Sequence, residues 1–296
     1  MLSENAKAVV AWLNVCVIWG TTYLAIRIGV GHLPPMLFAG IRWVIAGLVF
    51  IAFLVWRGRP LPKAGELIHL AVVGLCLIGL GNGLVVFAEQ WIPSGLAALL
   101  ITTVPFFLVG MEACLPKGPR LNAAILAGLT LGLAGVGLIF GEDLRYLADP
   151  KNLAGVLGLL GAVVFWSIGS LYSKYVKVGV HPLMGASIQM LIAGIVLSAI
   201  GVAIGELPRL DFEINGLLSL AYLVVIGSLL GYSSYIYVIA KLPLSLVSTY
   251  AYINPVIALF LGWAILDEKL NFRIAVAAAV ILIGVFTVKR GTSRLR

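Results

Sequence analysis

The chain of 296 residues is 61% hydrophobic and only 11% charged, and its mean hydropathy is +1.10. A water-soluble protein of this length needs charged side chains on the outer face of every helix, so this composition excludes a soluble globular protein and indicates a chain embedded in a lipid bilayer. The net charge of +8 needs no nucleic acid to explain it, because cytoplasmic loops of membrane proteins carry excess Lys and Arg facing anionic lipid. We expect membrane lipid, and no nucleic acid, as a partner.

Apolar runs of about twenty residues alternate with short charged clusters along the whole chain. Each run can cross roughly 30 Å of hydrocarbon at about 1.5 Å per residue, and none alternates as a barrel strand does. We predict an all-α integral membrane protein with ten transmembrane helices. The predicted spans are residues 9–28, 36–56, 67–87, 95–113, 123–140, 154–174, 182–204, 215–238, 245–266 and 272–289.

The charged loops predict the orientation of the chain in the membrane. With Arg42 set aside because it lies inside a span, Lys and Arg are more frequent in the loops on the side of both termini. The positive-inside rule therefore predicts cytoplasmic termini. We expect a multi-pass protein of the cytoplasmic (inner) membrane.

The two halves of the chain resemble each other in sequence. A shift of 147 residues places Trp19 on Trp166, and a shift of 150 places Gly81 on Gly231, as expected if only loops changed length after a duplication. Because each half holds five predicted spans, an odd number, the second half enters the membrane from the opposite face. We predict an inverted repeat that alternates between two states around a central site; the alternative is that duplication serves stability alone. The predicted five-helix repeats are residues 1–145 and 150–296.

Aromatic and neutral polar side chains recur inside the spans of both halves, with almost no fixed charge among them. Such a set suits a zwitterion or an amphipathic aromatic molecule, because rings stack on Trp and Tyr while hydroxyls and amides hold the polar end. For any single residue, an interfacial or helix-packing role is the alternative. The candidate substrate-binding residues are Asn14, Trp19, Thr22, Tyr23, Asn82, Thr102, Trp166, Ser170, Tyr232, Tyr252 and Asn254.

Three further polar residues are candidates for gating or charge. Arg42 is the only basic residue well inside a predicted span, about 10 Å from its external end, and its repeat mate is Gln189. It is either a charged gate or carboxylate anchor, or a structural arginine paired with a helix end or lipid phosphate. Glu89 ends the third span beside Trp91 and Pro93, where we expect a solvated carboxylate; a proton-coupling group is the alternative.

Prolines and glycines within spans mark candidate flexing points. Proline removes a helical hydrogen bond, and small residues allow a helix to bend. The candidate hinge residues are Pro105, Pro255, Gly81 and Gly231.

Several short motifs follow one another in a fixed order along both halves. They are Trp19-Gly20-Thr21-Thr22-Tyr23, Pro34-Pro35, Arg42-Trp43, Pro93-Ser94-Gly95-Leu96, Val104-Pro105, Leu242-Pro243-Leu244-Ser245, Asn254-Pro255-Val256 and Asp267-Glu268. In order and spacing the chain resembles the EamA-type exporters of the drug/metabolite transporter superfamily, over essentially its whole length. The resemblance implies a ten-helix carrier that exports amino acids or other small metabolites, and it does not identify the cargo.

The remaining motifs do not predict an enzyme. No histidine follows Ser187 to act as its base, and the sequence has no metal-ligand cluster, carboxylate pair or P-loop lysine. We therefore expect no cofactor and no catalytic residues. The function we predict is alternating-access export of small amphipathic metabolites, with amino acids, aromatic ones included, as the leading small-molecule substrates. The alternatives are drug-like or other neutral metabolites, or a passive channel; proton coupling stays open.

Overall fold

The computed structural model describes residues 4–116, 118–119, 121–140, 149–211, 213–257 and 272–293. Within those ranges the chain forms helices joined by short turns, and no β-strand. The helices are α1 (Glu4–His32), α2 (Pro35–Trp56), α3 (Ala64–Ala88), α4 (Leu96–Ala113), α5 (Ala123–Phe140), α6 (Leu153–Tyr175), α7 (Pro182–Ala203), α8 (Ile214–Lys241), α9 (Leu244–Ile257) and α10 (Phe272–Ser293).

Eight of the described helices are long and apolar enough to cross a membrane, which confirms a helical membrane protein. The apolar parts of α5 and α9 are shorter, at Ala123–Leu138 and Leu244–Ile257. The predicted span 245–266 continues beyond Ile257 into residues outside the described ranges, as does the motif Asp267-Glu268. The total of ten spans therefore stays a prediction.

The outer surface of the bundle carries large apolar side chains. Leu48, Ile195 and Leu282 are between 51% and 54% exposed, and many other aliphatic residues resemble them. Exposed apolar area of this extent is unfavourable in water, whereas lipid tails cover it at no such cost. The surface therefore fits a bilayer.

Small residues allow pairs of helices to pack backbone to backbone. α2 lies along α7, and α5 lies along α10. A Cβ atom added at Gly47 would meet the amide nitrogen of Leu191 at 2.8 Å, and one at Gly128 would meet the carbonyl oxygen of Gly284 at 2.7 Å. Glycine at these positions permits the close approach on which helix association in membranes depends.

α2 and α7 end with the same local geometry. Gly58 and Gly205 follow the two helices with φ angles of +73° and +78°, a conformation that glycine adopts without strain. The amide of Gly58 donates to the carbonyl of Val55 at 2.8 Å, and the next amide donates to that of Leu54 at 2.9 Å. Gly205 and its successor make the corresponding bonds at 3.1 Å and 2.9 Å. Both helices thus end in a Schellman motif.

Both described chain ends lie at one end of the bundle, which we call the termini end. Glu4 in α1 lies 3.5 Å from Lys241 at the end of α8. The hydroxyl of Thr292 in α10 lies 2.8 Å from that of Ser245 in α9. We call the other end of the bundle the opposite end.

A buried carboxylate fixes the start of α2 at the opposite end. Glu206 is 3% exposed and accepts hydrogen bonds from the amides of Met36 at 3.2 Å and Leu37 at 2.8 Å. A negative charge at a helix N-terminus compensates amides that lack helical partners. Nearby, His32 at the end of α1 lies 2.6 Å from Glu213. These contacts connect the α1–α2 turn to the segment between α7 and α8.

Four helices change their hydrogen-bond pattern near the middle of the bundle, and one of them is α9, which is interrupted at Ser248 and Thr249. α3 contains a π-helical segment at Leu75–Asn82, and α8 contains one at Leu223–Tyr232. α4 is interrupted at Thr102 and resumes at Val104. Segments of this kind interrupt the regular ladder and are frequent at functional sites. The candidate hinges Gly81 and Gly231 lie in the two π segments, Pro105 lies in the first turn after the α4 interruption, and Pro255 lies within α9.

Candidate functional site

A cavity lies between the helices in the middle of the bundle and, with the open solvent at its mouth, contains about 590 Å³ of non-atom space. Its lining begins at Trp19 and Trp166, near the middle of α1 and α6, and extends to Ile26 and Val85 towards the opposite end. The lining residues are Trp19, Thr22, Tyr23, Ile26, Arg42, Trp43, Gly81, Asn82, Val85, Ile101, Val104, Ala162, Trp166 and Tyr250.

Four aromatic residues, which we call the aromatic cluster, pack together on the side of the cavity nearer the termini end. The Trp19 ring lies 5.2 Å from those of Trp166 and Tyr250 and 5.1 Å from that of Tyr235. The indole N–H of Trp166 donates to the Tyr235 hydroxyl at 3.0 Å, and the Ser170 hydroxyl lies 2.7 Å from it. Edge-to-face and tilted contacts between aromatic rings are favourable, so the four rings hold one another in place and present a preformed aromatic surface.

Two of the three cavity tryptophans, Trp19 and Trp166, each pack against a glycine of the other half of the chain. A Cβ atom at Gly231 would lie 2.7 Å from the indole nitrogen of Trp19. A Cβ atom at Gly81 would lie 3.0 Å from the Trp166 ring. Both glycines belong to the π segments, so these segments bring the backbone within contact of the tryptophans. The two halves therefore meet at the cavity through matching pairs.

Arg42 brings a positive charge to the cavity. The residue is 2% exposed, its Nε donates to the Ser228 hydroxyl at 2.8 Å, and its guanidinium lies 4.3 Å from the centre of the Trp43 ring. Its Nη1 has no hydrogen-bond partner, and no carboxylate pairs with it, among the residues that the structure describes. A buried guanidinium without an anion is unfavourable, so the site is suited to receive one.

Trp43 connects the arginine to the polar part of the lining. Its indole N–H donates to the side-chain oxygen of Asn82 at 3.0 Å. Because the side-chain oxygen of Asn82 accepts this hydrogen bond, the side-chain nitrogen is the atom through which Asn82 can donate to another group. The arginine, the amide and three members of the aromatic cluster, Trp19, Trp166 and Tyr250, thus line a single cavity that offers a cation, a hydrogen-bond donor and ring faces.

Five of the eleven candidate substrate-binding residues lie in the cavity lining, and six do not. Asn14 is exposed on the outer surface of α1. The hydroxyl of Tyr252 donates to the carbonyl of Leu129 at 3.1 Å, away from the lining. The residues in the lining are Trp19, Thr22, Tyr23, Asn82 and Trp166. The buried residues outside it are Thr102, Ser170, Tyr232, Tyr252 and Asn254.

The gating candidates are also separated by the structure. Arg42 lines the cavity, whereas its repeat mate Gln189 accepts a hydrogen bond from the Tyr232 hydroxyl at 2.7 Å in the buried interior. Glu89 is 0% exposed, so the expectation of a solvated carboxylate is wrong. Although Glu89 directly follows the last residue of α3, it is buried where α1, α2 and α6 pack against the end of that helix.

Three aromatic residues lie outside the predicted set: two line the cavity, and the third packs against lining residues. The repeat alignment pairs Tyr252 with Thr102 and therefore selects Tyr252, not Tyr250, as a candidate. Residues two apart differ by about 200° around a helix, so only one of the two tyrosines can face the cavity. The sequence alone does not show which of the two tyrosines lies on the same side of the bundle as Trp19 and Trp166. The other two are Trp43, whose signal was its place beside Arg42, and Tyr235.

Comparison with known proteins identifies the family. The sequence model of the EamA-like transporter family matches residues 6–141 and, separately, residues 153–290. This chain belongs to the EamA-like transporter family. It is therefore a membrane transporter, and the resemblance drawn from the motifs is confirmed.

Individual relatives cover almost the whole chain. It is 36% identical over 281 residues to the uncharacterized inner membrane transporter YedA of Escherichia coli K12, covering 93% of this chain and 88% of the relative. It is 27% identical to the uncharacterized transporter YoaV of Bacillus subtilis, covering 95% and 96%. It is 25% identical to a probable amino-acid metabolite efflux pump of E. coli K12, covering 93% and 92%.

A solved crystal structure has the same fold. It matches with a TM-score of 0.81 and 22% identity, covering 99% of this chain and 100% of the other. At this identity the likeness concerns the fold alone. The helical bundle described above is thus an architecture already known in a solved protein.

Proposed function

We propose that this transporter exports small amphipathic metabolites, with amino acids, aromatic ones included, as its leading cargo. The observation that carries the proposal is Arg42, a buried guanidinium without an anion that shares a cavity with the aromatic cluster. An amino acid has a carboxylate that can pair with Arg42 and an apolar or aromatic side chain that can pack on the aromatic cluster. The relative named a probable amino-acid metabolite efflux pump supports the same cargo class.

The carboxylate of the substrate would bind to Arg42. Hydrogen bonds to charged groups contribute about 1.5–3 kcal/mol each, and the planar guanidinium can make two to one carboxylate. The Ser228 and Trp43 contacts fix the guanidinium before the substrate arrives, so little rotamer freedom is lost on binding. A neutral metabolite would leave the charge unpaired, which disfavours the drug-like alternative.

The side chain of the substrate would pack on the aromatic cluster. Three of its four rings, those of Trp19, Trp166 and Tyr250, lie in the cavity lining. Rings gain about 0.5–1.5 kcal/mol from edge or offset contacts beyond their buried area. The Trp and Tyr faces of the cavity therefore favour aromatic side chains.

Alternating access would arise from two inverted repeats, close to residues 1–145 and 150–296. The family model matches two separate ranges, and the π segments occupy corresponding positions in the two halves. Trp19 packs on Gly231, and Trp166 packs on Gly81. A pseudo-two-fold axis that relates the two halves would convert each of these contacts into the other. Rocking of one half against the other would change both contacts together.

The excess of Lys and Arg in the loops on the side of the termini supports a cytoplasmic location of both termini in the inner membrane. The lining extends from the aromatic cluster towards the opposite end, which would face the outside. The Pro105 interruption and the two π segments are the proposed flexing points.

Counterflow in proteoliposomes tests the proposal. Vesicles are loaded with unlabelled phenylalanine, threonine or a neutral non-amino-acid solute, and uptake of the labelled compound is followed. Saturable uptake stimulated by internal amino acid supports a carrier, because a passive channel shows no such stimulation. Trp166→Ala should weaken phenylalanine counterflow, and the matched control Trp56→Ala should not, since Trp56 is 77% exposed on the outer surface. Absence of flux for every amino acid would refute the cargo assignment.

A further inference from the structure

A carboxyl group without a partner is buried beside the transport cavity. Glu89 is 0% exposed, and neither of its carboxyl oxygens has a hydrogen-bond partner among the residues that the structure describes. An ionised carboxylate in such a place loses its hydration and gains nothing in return, whereas a protonated carboxyl carries no charge to desolvate. The geometry therefore suits the protonated form.

The position of Glu89 in α3 disfavours the ionised form further. Its amide donates to the carbonyl of Val85 at 2.9 Å, and Glu89 is the first residue beyond the last helical turn. The C-terminal end of a helix carries partial negative charge, which repels a carboxylate. Most acidic side chains at such an end reach water instead, and this one does not.

Glu89 lies one helical turn beyond the lining of the cavity. Val85 lines the cavity, and Glu89 is four residues further towards the opposite end on the same face. α1 repeats this arrangement with Tyr23 in the lining and Arg27 four residues further. The guanidinium of Arg27 donates to the backbone carbonyl of Glu89, not to its carboxyl oxygens. α3 and α1 thus place a carboxyl group and a guanidinium one helical turn beyond the cavity lining, towards the opposite end.

Few other charged groups face this position. From α1, Tyr23 and Arg27 are the electrostatic neighbours of Glu89. α2 carries a single charged residue, Arg42, which is bound to Ser228. The titratable residues of α6 lie near its termini end, at Tyr172, Lys174 and Tyr175. Arg27 is therefore the described cation placed to pair with an ionised Glu89.

We propose that Glu89 is a proton-binding site coupled to transport, in which its carboxyl is protonated in the present conformation and pairs with Arg27 when the proton has left. The proposal rests on the proposed function. The proton is taken up from water at the opposite end, and on release it passes from the carboxyl oxygen to water admitted from the termini end. The carboxylate that remains attracts the guanidinium of Arg27, which must leave the backbone carbonyl to reach it.

The change of Arg27 from the backbone carbonyl to the carboxylate of Glu89 connects proton release to the cavity through α1. The helix that carries Arg27 also carries Trp19, Thr22 and Tyr23 of the lining. A movement of α1 against α3 that pairs Arg27 with the carboxylate therefore also changes the cavity. Two sites that bias the same movement are energetically coupled, and the coupling acts in both directions. Proton entry can in this way drive substrate export.

An infrared measurement tests the protonated state without any substrate. Spectra of purified wild type and Glu89→Gln are compared at neutral pH. The wild-type-minus-variant difference should contain the C=O band of a protonated carboxyl, shifted in D₂O. A difference that contains only the two bands of an ionised carboxylate would overturn the proposal.

Flux measurements test the coupling. Counterflow of labelled phenylalanine is measured at equal pH and with a pH gradient imposed in either direction. The gradient should stimulate wild-type net flux several-fold, and Glu89→Gln should keep counterflow at equal pH but lose the stimulation. The matched control is Glu112→Gln, since Glu112 is also buried, at 3% exposure, but accepts a hydrogen bond from the Tyr175 hydroxyl at 2.8 Å near the termini end. That control should respond to the gradient as the wild type does.

The outcomes separate the two proposals. Wild-type counterflow that ignores the pH gradient, or a Glu89→Gln variant that still responds to it, overturns the proton site and leaves amino-acid export intact. Wild type without counterflow of any amino acid refutes the proposed cargo. In that case, or if Glu89→Gln loses counterflow, the infrared difference alone decides whether Glu89 holds a proton.

Discussion

Gly231→Ala is expected to displace Trp19 and to destabilise the protein. A Cβ atom at this position would lie 2.7 Å from the Trp19 indole nitrogen and 3.1 Å from a side-chain carbon of Ile18. The rings of Trp166, Tyr235 and Tyr250 lie 5.1–5.2 Å from that of Trp19 and limit its movement away from Gly231. Overpacking of this kind costs about 1–3 kcal/mol. The gain in helix propensity from Gly to Ala is about 0.5–1 kcal/mol, so a net loss of up to about 2.5 kcal/mol, about 1 kcal/mol at the middle of these ranges, remains.

The loss is measured as a lower midpoint of thermal unfolding in detergent, followed by tryptophan fluorescence. The matched control is Gly110→Ala in α4, where an added Cβ atom meets nothing within 4 Å. That variant should be as stable as the wild type or slightly more stable. Because Trp19 lines the cavity, Gly231→Ala should also weaken phenylalanine counterflow, and Gly110→Ala should not. Equal behaviour of the two variants in both assays would refute the reasoning.

Three further predictions concern stability and use the same unfolding assay. Glu206→Ala removes the carboxylate that accepts from two amides at the start of α2, so it should cost about 1–2 kcal/mol; Glu213→Ala, whose side chain is 54% exposed, should cost less. Gly58→Ala forces a φ of +73° on a residue with a side chain and should cost about 1–2 kcal/mol, whereas Gly65→Ala, where an added Cβ meets no atom within 4 Å, should be neutral. Tyr235→Phe removes the hydroxyl that joins two polar partners and should cost about 1–3 kcal/mol.

Each of these predictions fails in a recognisable way. Equal effects of the two glutamate variants would mean that the Glu206 carboxylate does not cap α2. A neutral Gly58→Ala would show that the end of α2 rearranges without cost. Unchanged stability of Tyr235→Phe would mean that its two partners find other bonds.

The membrane helices were predictable because burial in lipid depends on local composition. The predicted spans 36–56 and 182–204 differ from α2 and α7 by a single residue at one end. The first helix was predicted at 9–28 and extends over Glu4–His32, because a helix continues past the hydrocarbon wherever polar residues still favour it. Hydropathy reports the apolar part of a helix and not its ends.

The site was predictable only where a residue carries its own signal. Arg42 was identified because a charge inside a span is costly and rare. The burial of Glu89 was missed, because the sequence places it at a helix end and does not show that α1 and α6 cover that end. Tyr250 was missed because repeat alignment pairs positions in the chain, whereas the face that a residue presents depends on helix rotation. Both errors concern packing between helices distant in sequence.

The central claim is that Arg42 binds the carboxylate of the cargo. The direct test is the affinity of wild type and Arg42→Met for phenylalanine and for phenylalaninamide, which keeps the ring and the amino group but lacks the carboxylate. Ser228→Ala serves as the control, because it removes the hydrogen bond at 2.8 Å and keeps the charge. Thermal unfolding of each variant verifies that it is folded.

Loss of one charged hydrogen bond corresponds to about 10- to 100-fold in affinity. Wild type and Ser228→Ala should therefore prefer phenylalanine over the amide, and Arg42→Met should bind phenylalanine about 10- to 100-fold more weakly while binding the amide about as well as before. The preference would then vanish with the guanidinium. An Arg42→Met variant that folds and still prefers phenylalanine by the wild-type factor would contradict the account.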